Sequence, residues 1–201
     1  MKKSRLAQVV VNLKEMGLGQ GIISDPFSIY YLTGLAIDPG ERLFALLIKG
    51  DGSATLFNNR LFPLPEGEGL KIIYHSDGED GLGMLAEALA DGPLGVDKVW
   101  PARFLLPLLA RGRAIQPVLG SAAVDDARMV KDPEEVALMR AASRVNDAVM
   151  AQAIAALAAG ISESEMVGVV GDLHVKHGAD GALPQLICFG AGASEPHHES
   201  G

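Results

Sequence analysis

Arg128-Met-Val-Lys-Asp-Pro-Glu-Glu-Val-Ala-Leu-Met-Arg-Ala-Ala142 separates two styles of sequence. Asp132-Pro133-Glu134-Glu135 is a helix start in four residues. The Asp132 carboxylate can accept backbone N–H groups, Pro133 has no N–H to leave unpaired, and Glu135 can reach back as in a capping box. Leu138, Ala142, Val145, Val149 and Ala156 then recur at near-helical spacing until Gly160. Ser162-Glu-Ser-Glu165 repeats the capping pattern and opens a second helix, with Met166, Val170 and Leu173 on its apolar stripe and Gly178 at its end. Leu183 to Phe189 reads as a strand, with Pro184 at its start or on an edge.

Upstream of this stretch, short apolar runs alternate with helical patterns. Leu6, Val10, Leu13 and Met16 share one helix face, and Gly17 ends it. Gly21-Ile-Ile-Ser24 is a short buried strand, and Asp25-Pro26 caps a short helix carrying Ile29, Tyr30 and Leu32. Tyr30 and Tyr31 are both expected to pack that helix on the sheet. Leu43–Ile48 and Ala54–Phe57 flank the turn signal Gly50-Asp-Gly52 and predict a hairpin. Further strands fall at Leu70–Tyr74, Leu94–Asp97 and Ala114–Val118, and helices at Gly81–Ala90 and Ala102–Ala110. A loop runs through Pro63, Pro65, Gly67 and Gly69. Strands interleaved with helices, plus one hairpin, give an α/β domain with a mixed sheet. This domain is expected to span residues 1–124, and a second one residues 125–201.

Composition narrows the functional classes. Hydrophobic residues make up 48% and charged residues 21%, the balance of a globular chain able to bury a core. A net charge of −8 excludes a broad basic face for nucleic acid or anionic membrane. No apolar run is long enough to span a bilayer, which takes roughly 20 residues. Cys188 is the only cysteine, so no intrachain disulfide can form, as suits a reducing cytoplasm.

Few residues carry chemistry. Gly190-Ala-Gly192 after a strand is not a dinucleotide fingerprint, because Glu195-Pro-His-His-Glu places acid where a pyrophosphate would sit. His174 and His177 stand three apart on a helix without a third metal ligand, and His177 suits the helix C-terminus. His75 reads as a surface residue and Cys188 as a buried structural one. Asp125-Asp126 and Glu134-Glu135 are sequence neighbours that rarely share a site, and capping explains the second pair. Pro196-His197-His198 remains. A histidine titrates near neutral pH and can hand a proton to a leaving amine, although local sequence alone favours a solvent-exposed polar tail.

The order and spacing of several pieces resemble the creatinase/prolidase/Xaa-Pro aminopeptidase family. They are Asp25-Pro-Phe-Ser-Ile-Tyr-Tyr-Leu-Thr-Gly34, Gly40-Glu-Arg-Leu43, Arg128–Ala142, Gly160-Ile-Ser-Glu-Ser-Glu165, Gly178-Ala179, and Gly190 seven residues before His197. The resemblance implies a ribonuclease-H-like creatinase amino-terminal domain, followed by the first part of a pita-bread α+β catalytic domain. It implies a metal-dependent peptidase cleaving Xaa-Pro bonds in proline-containing peptides, working as a homodimer. His197 takes the catalytic position. His198 stands where the peptidases often have glycine and is expected to bind substrate. The complete family enzyme holds two divalent ions (manganese, cobalt or zinc) with Asp, Asp, His, Glu and Glu. The family's pattern places these ligands beyond residue 201, so none is expected on this chain, and the 201 residues alone are expected to be inactive. A non-catalytic binding or dimerisation module and a creatinase-like C–N hydrolase are the alternatives.

Overall fold

Strands whose side chains are apolar on both faces need a helix layer on each side, and this chain supplies both. In a computed structural model of the protein, residues 1–65, 69–111, 114–181 and 186–201 are described. The chain divides into two units, Met1–Val130 and Lys131–Gly201.

In the first unit a mixed sheet of six strands runs in the order β4-β3-β2-β1-β5-β6. The strands are β1 (Gln20–Ile23), β2 (Ala45–Lys49), β3 (Ala54–Asn59), β4 (Lys71–His75), β5 (Gly92–Val96) and β6 (Ile115–Leu119). The β2–β3 hairpin is antiparallel, and Gly52 turns it with a positive φ of 86°. β1 pairs antiparallel with β2 and parallel with β5. The period of two sorts strand side chains between two cores. Leu46 and Ile48 face one layer, with Leu6, Val9, Val10 and Leu13 of α1 (Lys3–Glu15) and Ile29 and Leu32 of α2 (Pro26–Thr33). Ala45 and Leu47 face the other, with Leu85 of α3 (Gly81–Ala88) and Leu108 of α4 (Ala102–Leu109). Each Leu or Ile fully buried in this way contributes about 1.5–3 kcal/mol.

One helix was not legible in advance. α5 (Ala122–Met129) buries Ala123, Val124 and Ala127 in the first core. Asn12 donates to the Ala123 carbonyl at 2.8 Å and the Tyr31 hydroxyl to that of Ala127 at 3.1 Å. The first unit therefore runs on to Val130, whereas the sequence reading placed the boundary at 124, inside this helix. Tyr31 is buried as expected, but Tyr30 is 53% exposed, because neighbouring helix positions diverge.

The second unit is a helix pair, α6 (Pro133–Ala156) and α7 (Glu163–Lys176). Both capping boxes form: Asp132 with Glu135, and Ser162 with Glu165. Val149 and Ala153 of α6 pack on Met166 and Val170 of α7, joined by Ile187 from the segment that follows. Of the strand expected at 183–189, residues 183–185 lie outside the described residues. Residues 186–189 pair with no strand among the described residues. Among the described residues no helix is long and apolar enough to cross a membrane.

Candidate active site

The segment from Ile187 to Gly201 is a loop tied at both ends to the start of α7. Ser200 closes it on itself: its hydroxyl accepts from the Ile187 N–H at 3.2 Å and donates to the Ile187 carbonyl at 2.8 Å. The Ser164 N–H donates to the Gly201 carbonyl at 2.9 Å. Between these ends the chain makes a 3-10 turn over Gly190–Ser194, begun by Gly190 at φ 52°. The N–H of His198 then donates to the Glu195 carbonyl at 3.2 Å.

Glu163 gathers the loop. As the first helical residue after the Ser162 cap, it sits where the helix N-terminus favours negative charge. One carboxylate oxygen, Oε1, accepts the Phe189 N–H at 2.5 Å. The other, Oε2, lies 2.7 Å from His198 Nε2 and accepts the Gly201 N–H at 3.0 Å. The N–H groups of Gly201 and Phe189, and then His198, hold the Glu163 carboxyl down at about 2. The bond to Glu163 in turn raises His198 above the usual imidazole value. On the far side of the ring, Nδ1 stands 3.5 Å from a Glu195 oxygen. An imidazolium at this position faces a carboxylate on each nitrogen. Gly192 makes the close approach possible: a Cβ there would lie 2.8 Å from the His198 ring.

The neighbouring histidine is placed quite differently. His197 is exposed, and among the described residues its ring makes no hydrogen bond or ion pair. The loop turns His198 inward and His197 outward. His198, expected to contact substrate, is occupied by Glu163. Sequence reasoning missed Glu163 because it was absorbed into the Ser162–Glu165 capping pattern. That box needs only its first and fourth residues, so the additional acid at the first helical position was the available signal.

The remaining candidates do not join this site. His174 Nδ1 lies 2.9 Å from the Val170 carbonyl one turn back, and His177 caps the C-terminus of α7. Cys188 is half-buried rather than buried, since only Ile187 of that run packs into the helix-pair core. His75, read as a surface residue, is 5% exposed. Its Nε2 lies 3.2 Å from the Leu43 carbonyl, and its ring lies so close to Gly81 that a Cβ there would approach to 2.6 Å. It borders a cleft of about 350 Å³ in the first unit. A second cleft of about 230 Å³ there contains the ion pairs Lys98–Asp125 and Arg128–Asp25. Among the described residues no cluster of three or more His, Cys, Asp or Glu side chains can hold a metal ion.

Comparison with known proteins agrees with this architecture. The creatinase/prolidase N-terminal domain pattern matches residues 5–130, and that of metallopeptidase family M24 matches residues 137–201. The chain is 27% identical over 202 residues to the probable dipeptidase PepE of Mycobacterium tuberculosis, covering 96% of this chain and 54% of that protein. The crystal structure of a dipeptidase from Pyrococcus horikoshii OT3 superposes with a TM-score of 0.82 at 28% identity, over 98% of this chain and 56% of that one. Dipeptidase PepE from Mycobacterium ulcerans gives 0.79 at 27% identity, over 98% and 55%. The chain thus spans about half the length of the relatives it matches. By its first unit, its second unit and their order, the chain belongs to the creatinase/prolidase family of pita-bread metallopeptidases.

Proposed function

We propose that the complete protein is a divalent-metal-dependent dipeptidase that hydrolyses the bond before proline, with His197 as its proton-transferring residue. As the C–N bond breaks, water adds its oxygen to the carbonyl carbon. His197 hands a proton to the departing nitrogen and recovers one afterwards. His198 holds the loop and leaves recognition of the substrate to other groups. The observation that carries this reading is the placement of the two histidines: one free and outward, the other locked beneath it on Glu163. Similarity to dipeptidases over nearly the whole chain supports the reaction class. We also propose a homodimer, which light scattering of the complete protein tests directly.

The activity test is a panel of Xaa-Pro dipeptides, non-prolyl dipeptides and creatine, each with manganese, cobalt or zinc. Turnover restricted to Xaa-Pro dipeptides is the expected result. Hydrolysis of creatine alone would replace the peptidase reading with an amidinohydrolase one. His197→Ala should lower kcat by about 10²–10⁴ with little change in metal content, the span of general acid–base help. Retention of near-normal turnover by this variant removes His197 from the chemistry.

A further inference from the structure

We propose that Glu163 is the positioning residue for His197, fixing the imidazole by holding the loop at three points around it. The proposal rests on the assignment of proton transfer to His197. The Glu163 side chain is only 12% exposed, and its oxygens go to Phe189, His198 and Gly201, none of them in its own helix. Phe189 and Gly201 bracket the loop, and His198 is the residue after His197. One helix end thus sets both flanks of the loop and the peptide beside the reacting ring. A carboxylate suits this task because both its oxygens accept, each from more than one donor. An amide at the same place would keep one acceptor and turn its own N–H groups toward the remaining donors.

Helix capping does not explain these contacts. Ser162 and Glu165 complete the capping box between themselves, each accepting the other's backbone N–H. The charged groups around the carboxylate are His198 and, beyond it, Glu195, and both belong to the loop being held. Ile187 reaches the apolar cluster of Val149, Ala153, Met166 and Val170 from the same loop. That contact keeps the loop near α7 but does not orient it. Orientation comes from the directional bonds to Glu163.

The test compares Glu163→Gln, Glu165→Gln and His197→Ala in the complete protein, with an Xaa-Pro dipeptide as substrate. The readouts are kcat and KM separately, and hydrogen exchange at the Phe189 and Gly201 amides. Displacing a reacting group by about 1 Å costs roughly 10²-fold. Glu163→Gln should therefore lower kcat by about 10–100-fold with KM nearly unchanged, and both amides should exchange faster. Glu165→Gln weakens the same helix end but touches none of the three contacts, so it should leave kcat within about twofold. Near-normal kcat in Glu163→Gln beside a large loss in His197→Ala overturns the proposal and leaves the His197 assignment standing. Equal losses in Glu163→Gln and Glu165→Gln also overturn it, because capping alone would then account for the effect. A harmless His197→Ala overturns the underlying assignment and this proposal with it, whatever Glu163→Gln does.

Discussion

Replacing Asp97 tests how the first unit ties its parallel strands together. Asp97 follows β5 and is 7% exposed. Its Oδ2 accepts the N–H groups of Ser24 and Asp25, just past β1, each at 3.0 Å. Its Oδ1 accepts from the Val99 N–H at 3.3 Å and from the Ser121 hydroxyl, just past β6, at 3.4 Å. The first two are good hydrogen bonds and the last two are weak. A bond to a charged group contributes about 1.5–3 kcal/mol. Asp97→Ala removes two strong ones and strands the buried Ser24 amide, whereas the Asp25 amide is half-buried and can recruit water. The expected cost is about 3–5 kcal/mol, a large share of a total of about 5–15 kcal/mol. Asp97→Asn can keep its oxygen on the Ser24–Asp25 pair and offer its amide to Ser121. It loses charge assistance and the weak bond from Val99, at about 1–2 kcal/mol. Trp100, the sole tryptophan, is 6% exposed, and its backbone N–H donates to the Asp97 carbonyl at 3.1 Å. Urea unfolding followed by its fluorescence reports this unit. An alanine variant within about 1 kcal/mol of wild type, or an asparagine variant as damaged as alanine, refutes the strand-tying argument.

Gly192→Ala should displace the His198 ring, because the new Cβ would lie 2.8 Å from two of its atoms. Overpacking of this kind costs about 1–3 kcal/mol. The loss of loop protection it causes should nearly vanish in a His198→Ala background, as a double-mutant cycle of amide exchange measures; equal effects in both backgrounds show that the ring is not what Gly192 accommodates. The Glu163–His198 contact also sets a pH window. Glu163 is lowered from 4.5 to about 2, so its contribution is complete above 4.5 and is lost as pH falls toward 2. His198 is raised above 6.5, so its contribution is complete below 6.5 and is lost as pH rises through the raised value. Exchange protection of Phe189 and Gly201, corrected for intrinsic rates, should be greatest between these limits. Protection that grows as the His198 ring loses its proton contradicts the assignment.

How much of this was legible depended on whether a feature is local. The Asp25, Asp132 and Ser162 caps and the β2–β3 turn are written within a few positions each, and all are present. α5 was not legible, because Ala122–Met129 buries only Ala123, Val124 and Ala127 and carries Asp125, Asp126 and Arg128 on its remaining turns. Its place depends on Asn12 and Tyr31, residues about a hundred positions away in the chain. His75 was misjudged for the same reason. A histidine at a strand end reads as exposed until Gly81 brings the next helix over its ring. In the candidate site, Pro196-His197-His198 could be singled out by residue type. Which histidine faces inward depends on a carboxylate 35 residues earlier, and no local pattern announces that.

Two kinds of anchor hold the loop on α7, and their physics differs. Ile187 joins the cluster of Met166, Val170, Val149 and Ala153. Burial of this kind is non-directional and scales with area, so it keeps the loop close to the helix while leaving its rotation open. The contacts to Glu163 weaken steeply as donor and acceptor fall out of line, so they fix rotation while adding little apolar area. A site needs both, because proton transfer is sensitive to angle as well as distance. The distribution of charge follows from this. Phe189 and Gly201 present neutral N–H groups that would accept many partners, but with His198 added only an acceptor with two equivalent oxygens serves all three. That acceptor is held ionised by the Gly201 and Phe189 N–H groups and by His198, at a helix end that also favours negative charge. The loop therefore keeps charged the side chain that orients it, while α7 supplies that side chain and, with α6, the loop's apolar footing.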